Sequence, residues 1–125
     1  MIKQVLSIAG SDSGGGAGIQ ADILTLASIG CHPLPVITGI TVQDSARVEA
    51  LLTMDAKWVD DQARCVLEDM PIAAIKLGLL CSVEIIAVIA EIVSDYPDVP
   101  LICPAKYRPS IFFVSSVCWI WVGGA

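Results

Sequence analysis

The sequence predicts an α/β fold with a mostly parallel central sheet. Short apolar runs that suit buried strands alternate with longer segments whose apolar residues recur at helical spacing, and this alternation is typical of parallel sheets with right-handed crossovers. The chain of 125 residues is also 55% hydrophobic, with a mean hydropathy of +0.75. Such a content fits strands that are buried on both faces, and it equally fits an incomplete fold that leaves part of its core exposed.

The first three predicted elements are a strand, a helix and a second strand. Val5–Ala9 is a short apolar run typical of a central strand. The helix that follows should end near Gly30, because glycine commonly follows the last turn of a helix. After two prolines, the β-branched run Val36–Val42 predicts the second strand. The apolar face of the helix consists of Ile19, Ile23, Leu26 and Ala27.

The remaining elements continue the alternation. Val48–Leu52 is a further extended stretch, and Ala73–Leu77 and Val99–Cys103 are predicted as buried strands. Asp55 and Ser82 are N-cap residue types, and each precedes a segment with one apolar stripe. The stripes are Val59, Ala63, Val66, Leu67 and Met70 in the first of these helices, which Pro71 ends, and Ile85, Ile89, Ile92 and Val93 in the second.

Five glycines lie between the first strand and the first helix, within the segment Ala9–Asp22. Glycine allows positive φ and close approach of backbone N–H groups to a ligand, and a helix N-terminus adds partial positive charge. The segment therefore predicts a cradle for a small molecule or an anion, with a flexible turn as the alternative. A phosphate-binding P-loop is excluded because Gly16 and Ala17 stand where lysine and serine or threonine are needed. A dinucleotide fingerprint fits poorly because Ile19 replaces its last glycine.

Composition excludes several classes of function. The net charge is −6 and only seven residues are lysine or arginine, which argues against a nucleic-acid-binding surface. No uncharged apolar run is long enough to span a bilayer, and the N-terminus lacks a signal-peptide pattern, so we expect a cytoplasmic protein. The five cysteines are widely spaced, which predicts neither a disulfide framework nor a zinc site. For His32 we expect a structural or surface role.

The glycine-rich segment resembles the N-terminal signature of the hydroxymethylpyrimidine and phosphomethylpyrimidine kinases of thiamine biosynthesis, in the ribokinase-like superfamily. Three further segments agree in register: Val36–Asp44, Ile75–Leu80 and Leu101–Pro104. The resemblance implies a ribokinase-like αβα sandwich. It also implies ATP-dependent phosphorylation of 4-amino-5-hydroxymethyl-2-methylpyrimidine and its phosphate, with ATP and Mg²⁺ as cofactors, a small-molecule pyrimidine as substrate, and a homodimer as a possible assembly.

The resemblance assigns substrate contacts to four residues. Gly10 would offer backbone contact to the pyrimidine, Asp22 would meet its hydroxymethyl group, and Gln43 would hydrogen-bond the ring. Leu79, where many members have methionine, would pack against the ring. Taken without the family, Asp22 would be a solvated carboxylate near a helix N-terminus, Gln43 a turn residue and Leu79 a core residue. Lys76 is interpreted as a strand-end cation without a catalytic role.

The resemblance ends at Pro104. We expect residues 1–104 to be the N-terminal part of a pyrimidine kinase domain and residues 105–125 to be a divergent tail, such as a change of reading frame would produce. Five of the seven aromatic residues lie in that tail, and no Asp or Glu follows Asp98. Cys103 also departs from the aspartate that is common in the family.

Members of the family take their nucleotide-binding loops and general base chiefly from the C-terminal half. We therefore assign no catalytic residue and no metal ligand in this chain, and expect little kinase activity and doubtful ATP binding from it alone. Two alternatives stay open. One is a non-catalytic truncated product that binds a ligand, and the other is a kinase similar to pyridoxal kinase, which shares the superfamily and sometimes the N-terminal pattern.

Overall fold

The computed structural model describes residues 1–103 and the backbone of two further short strands, so the predicted tail 105–125 lies outside the described residues apart from those strands. The elements, in chain order, are β1 (Gln4–Asp12), α1 (Gly18–Ser28), β2 (His32–Gln43), β3 (Val48–Thr53), α2 (Ala56–Asp69), β4 (Ala74–Leu77), α3 (Val83–Asp95), β5 (Leu101–Ile102), β6 (Ile111–Val114) and β7 (Cys118–Trp121).

The first five strands form one mixed sheet in the order β3-β2-β1-β4-β5. β1 pairs in parallel with β2 and β4, and β4 pairs in parallel with β5, whereas β3 is antiparallel to β2. The prediction of an α/β fold with a mostly parallel sheet is therefore confirmed. The antiparallel strand follows from the turn after β2, in which the Asp44 carboxylate accepts the backbone N–H groups of Ala46 and Arg47. β6 and β7 pair with each other in a second, two-stranded antiparallel sheet.

Helices pack on both faces of the main sheet. Side chains alternate between the faces of a strand, and Leu6 and Ile8 belong to a core shared with α2 and α3. Ser7 lies between them in sequence and faces the other way, where its hydroxyl contacts Asp22 of α1. The fully buried members of the main core include Leu6, Ile8, Val36, Val59, Ala63, Leu80, Ile85, Ile89 and Ile92.

β2 begins earlier than predicted and contains both prolines that were placed before it. The N–H of His32 donates to the carbonyl of Lys3 at 2.8 Å. Because N–H groups of a strand alternate between its two sides, the nitrogens of Pro33 and Pro35 are directed away from β1. On that side the pairing with β3 starts only at Gly39, so the prolines cost no ladder hydrogen bond.

The uncovered side of β2 is closed instead by a side chain of α2. Gln62 accepts the N–H of Ile37 through Oε1 at 3.3 Å and donates from Nε2 to the carbonyl of Ile37 at 3.2 Å. The amide thus substitutes for a neighbouring strand at one residue. It satisfies two part-buried backbone groups of Ile37 on the side of β2 that β3 does not cover.

The predicted caps are confirmed, while two strand boundaries differ from the prediction. Asp55 and Ser82 accept backbone N–H groups at the starts of α2 and α3. β1 continues to Asp12 because the long β2 offers it partners beyond Ala9. β5 is only two residues long, and both residues pair with β4. Within the described residues, no helix combines the length and apolar character needed to cross a bilayer.

Candidate functional site

The candidate site lies at the carboxyl ends of the central strands, where open α/β sheets bind their ligands. A Cβ built on Gly10 would lie 3.3 Å from Leu79 Cδ2 and 3.7 Å from the carbonyl oxygen of Gly39. The structure therefore brings two of the predicted site residues, Gly10 and Leu79, into contact. Leu79 is half-buried, so part of its side chain is available to a ligand.

The glycine-rich segment is organised around the Asp12 side chain. Its carboxylate accepts the backbone N–H groups of Gly14 and Ala17, both at 3.0 Å. The Gln20 side chain accepts the backbone N–H of Asp12 at 2.8 Å and donates to Ser11 Oγ at 2.7 Å. Sequence reasoning assigned no role to Asp12, although an aspartate two residues before a glycine is a known turn signal.

Gly18 joins this segment to α1 at a position that only glycine fits. Its φ is +66°, and a Cβ there would lie 2.5 Å from the carbonyl oxygen of Gly10. Both conditions exclude an ordinary side chain, since the conformation is left-handed and the contact is with backbone. The start of α1 is therefore packed directly against the end of β1.

Asp22, the third predicted site residue, is bound by two side chains of the sheet. Lys76 Nζ lies 2.8 Å from both carboxylate oxygens, and Ser7 Oγ donates to Oδ2 at 2.7 Å. Ser7 and Lys76 are direct partners in the pairing of β1 with β4. The Asp22 and Lys76 side chains are only 16% and 24% exposed. Sequence reasoning interpreted Lys76 as a strand-end cation without a catalytic role and named no partner for it; the structure pairs it with Asp22.

Gln43, the fourth predicted site residue, ends β2 beside the end of β1, where Asp12 pairs with Thr41. The pKa of Asp12 is lowered, first by a hydrogen bond from the Gln43 side chain and then by the backbone N–H of Gly14. An ionised carboxylate only accepts hydrogen bonds, so Gln43 must donate from Nε2. Its carbonyl oxygen Oε1 therefore remains the group that Gln43 can offer to a ligand.

Thr38 and Cys81 support the segment that carries Leu79. The Thr38 hydroxyl donates to the carbonyl of Leu79 at 2.6 Å and lies 3.4 Å from Cys81 Sγ. Cys81 has a φ of +71°, which is unusual for a residue with a Cβ. Burial raises the pKa of its thiol, so the side chain acts here as a small packing group rather than a nucleophile.

Metal ligands are not assembled at this edge. Among the described residues, no three histidine, cysteine, aspartate or glutamate side chains are grouped so as to hold a metal ion. Among the described cysteines, Cys31, Cys65 and Cys81 have free thiols. His32 is exposed at the start of β2, away from the carboxyl end of the strands.

Comparison with known proteins gives consistent similarities. A family model described as phosphomethylpyrimidine kinase matches residues 12–105. The chain is 41% identical over 98 residues to a hydroxymethylpyrimidine/phosphomethylpyrimidine kinase of Streptomyces coelicolor, an alignment that covers 78% of this chain and 36% of that protein. The crystal structure of a phosphomethylpyrimidine kinase from Clostridium difficile matches with a TM-score of 0.78 at 37% identity, covering 95% of this chain and 49% of that one.

A related kinase has a similar fold. An ADP complex of Bacillus subtilis pyridoxal kinase matches with a TM-score of 0.77 at 27% identity, covering 87% of this chain and 43% of that one. The chain thus spans about half the length or less of the relatives it matches.

Proposed function

Because the chain belongs to the phosphomethylpyrimidine kinase family, we propose that its carboxyl-edge site binds the acceptor substrate of an ATP-dependent kinase. The substrate is 4-amino-5-hydroxymethyl-2-methylpyrimidine or its phosphate, and the reaction belongs to thiamine diphosphate biosynthesis. The observation that carries this proposal is the half-buried Asp22 carboxylate, held against the inner strands β1 and β4 by Ser7 and Lys76.

Asp22 retains the capacity to accept one more hydrogen bond. A carboxylate has about four lone-pair positions, and the contacts of Asp22 with Ser7 and Lys76 use two on Oδ2 and one on Oδ1. The remaining position on Oδ1 can accept the O–H of the substrate's hydroxymethyl group. A hydrogen bond to a charged acceptor would orient that hydroxyl for phosphoryl transfer.

Gln43 supplies the ring recognition in this proposal. With Nε2 directed to Asp12, its Oε1 is an acceptor and matches the exocyclic 4-amino group of the pyrimidine. Gly10 has no side chain, so its backbone can approach the ring, and the half-buried Leu79 provides an apolar surface beside it. These four residues form what we name the pyrimidine edge: Gly10, Asp22, Gln43 and Leu79.

Pyridoxal is a second candidate substrate, favoured by the similarity to Bacillus subtilis pyridoxal kinase. Pyridoxal also carries a hydroxymethyl group, so Asp22 does not separate the two substrates. It has no exocyclic amino group, however, and the ring position next to its hydroxymethyl group carries an aldehyde, which is an acceptor, so Gln43 Oε1 would face it less favourably than the amino group of the pyrimidine. Gln43 is half-buried, so this difference should favour the pyrimidine by a modest factor.

Phosphoryl transfer further requires that ATP be bound and that charge on the transferred group be neutralised. ATP would supply the phosphoryl group and Mg²⁺ would neutralise its charge. The described residues offer no cluster of metal ligands, so none of them is assigned to Mg²⁺. We accordingly expect the pyrimidine to bind to this chain without a requirement for nucleotide.

Calorimetric titration of the purified chain with the hydroxymethyl pyrimidine, with and without Mg-ATP, tests the proposal. We expect saturable binding in both cases, weakened about tenfold in Asp22→Asn because a charged hydrogen bond becomes a neutral one. Asp61→Asn on the exposed side of α2 is the matched control and should bind normally.

A folded chain, verified by circular dichroism, that binds neither pyrimidine nor pyridoxal would overturn the proposal. Unchanged affinity in Asp22→Asn would remove the central role of that carboxylate. Tighter binding of pyridoxal than of the pyrimidine would favour the second candidate substrate.

A further inference from the structure

We infer that Lys76 is a positioning residue that fixes the Asp22 carboxylate before the substrate binds. The inference rests on the proposed function, since it concerns how Asp22 recognises the substrate's hydroxymethyl group. It adds a residue and a role that the family resemblance did not supply for this chain.

The contacts of Lys76 determine the orientation of the whole carboxylate. Its ammonium is 2.8 Å from Oδ1 and 2.8 Å from Oδ2, while Ser7 adds a contact to Oδ2 at 2.7 Å. The terminal torsion of an aspartate is otherwise broad. With both oxygens engaged, the plane of the carboxylate and its last lone pair on Oδ1 are set.

The support for Lys76 comes from the rigid part of the fold. Ser7 and Lys76 are paired residues on β1 and β4, two inner strands of the sheet, whereas Asp22 belongs to α1. The ion pair therefore ties the helix to the sheet at the candidate site. Gly78 leaves room for the Lys76 side chain, because a Cβ at Gly78 would lie 2.7 Å from Ala9 Cβ and 3.4 Å from Lys76 Nζ.

An acceptor that is already fixed binds its donor more tightly, because its side chain loses no further conformational entropy when the ligand binds. Immobilising one flexible side chain at a binding site weakens affinity by a few-fold to about tenfold. Losing Lys76 should therefore weaken only the interaction that the carboxylate makes. Contacts of the ring with Gly10, Gln43 and Leu79 should remain.

Two ligands separate this role from a general effect on the fold. The hydroxymethyl pyrimidine carries the hydroxyl, and 4-amino-2,5-dimethylpyrimidine is the same ring without it. In the unmodified chain we expect the hydroxyl to improve affinity about tenfold, as a hydrogen bond to a charged group does. In Lys76→Met we expect that preference to fall to about twofold or less, with affinity for the dimethyl ligand unchanged.

Three variants complete the calorimetric experiment. Lys57→Met removes a lysine of the same type from an exposed pair with Asp61, 2.7 Å apart, and should leave both affinities unchanged. Lys76→Arg keeps a charged donor for both oxygens and should recover part of the preference. Asp22→Asn/Lys76→Met removes both charges, so it should remain folded even if Lys76→Met alone does not, and it should show no preference.

Each outcome is decisive. An unchanged hydroxyl preference in Lys76→Met would refute the positioning role, and so would an equal loss of affinity for both ligands, which a structural role would produce. If Lys76→Met does not fold, the comparison passes to Lys76→Gln, whose neutral amide cannot bind both carboxylate oxygens as the ammonium does, and an unchanged hydroxyl preference in that variant would refute the role. A retained preference in the double variant would instead contradict the assignment of the hydroxyl to Asp22. Equal binding of the two ligands by the unmodified chain would contradict the proposed function itself, rather than the role of Lys76.

Discussion

Adding one methyl group at each of three glycines tests how the loop between β1 and α1 is built. Gly16 has no atom within 4 Å of a built Cβ and no positive φ, Gly15 has a φ of +74° but open space, and Gly18 has a φ of +66° and a backbone clash at 2.5 Å. Alanine should therefore be tolerated at Gly16, should carry a conformational penalty at Gly15, and should carry both a conformational and a steric penalty at Gly18. Each variant adds the same single methyl group to the same loop.

The expected magnitudes follow from these geometries. Gly16→Ala should change the free energy of unfolding by less than about 0.5 kcal/mol. Gly15→Ala should cost about 1 kcal/mol, because the left-handed conformation costs ~1–2 kcal/mol and the stiffer unfolded chain returns part of it. Gly18→Ala should cost about 3 kcal/mol or more, because the Gly10 carbonyl must also move and the loop with it.

Urea unfolding at 25 °C, followed by far-ultraviolet circular dichroism, measures these differences. With m values of about 1–3 kcal/mol per molar, the midpoint of Gly18→Ala should fall by roughly 1 M or more. Equal midpoints for Gly15→Ala and Gly18→Ala would show that Gly18 does not lie in close contact with the Gly10 carbonyl as described. A loss in Gly16→Ala as large as in Gly18→Ala would contradict the whole account of the loop. If Gly18→Ala yields no folded protein, the comparison of the other two still tests the conformational term.

Two further predictions concern groups that hold backbone at the site and at the sheet edge. The folded state lowers the pKa of Asp12, so its ionised side chain stabilises the fold above its ordinary pKa, and this contribution is lost as pH falls through the lowered value. The difference in urea midpoint between the unmodified chain and Asp12→Asn should therefore shrink from pH 7 to pH 3. A difference that stays constant over this range would contradict the prediction. Gln62→Leu leaves the N–H and carbonyl of Ile37 unpaired and should lower the free energy of unfolding by about 1–3 kcal/mol in the same assay. Glu68→Leu, on the exposed side of the same helix, is the control and should have little effect. Equal effects of the two substitutions would refute the role of Gln62.

The elements that sequence reasoning predicted well are those set by local pattern. The caps at Asp55 and Ser82 depend on a side chain and the N–H groups two or three residues later. The apolar stripes of α2 and α3 depend on spacing within one helix, and their residues are in the core. Neither feature requires knowledge of which strands are neighbours, so both can be predicted from one segment of sequence.

The errors at strand ends arise from partners that one segment does not contain. Pro33 and Pro35 look like breakers of a strand, yet they fit because β3 does not reach that part of β2. Leu101–Ile102 is shorter than the predicted strand, and its extent is set by its two pairing positions with β4. In both cases the outcome depends on the pairing with a neighbouring strand.

The pairing of Asp22 with Lys76 was missed because it depends on strand order. The two residues are 54 positions apart, and they meet only because β4 inserts beside β1 while β2 and β3 occupy the other side. A weaker signal was nevertheless present: Ser7 and Lys76 are each a polar residue between two buried apolar ones. On adjacent parallel strands, two such residues face the same helix. A helix that covers such a pair needs an acceptor opposite the lysine, and Asp22 provides it on α1.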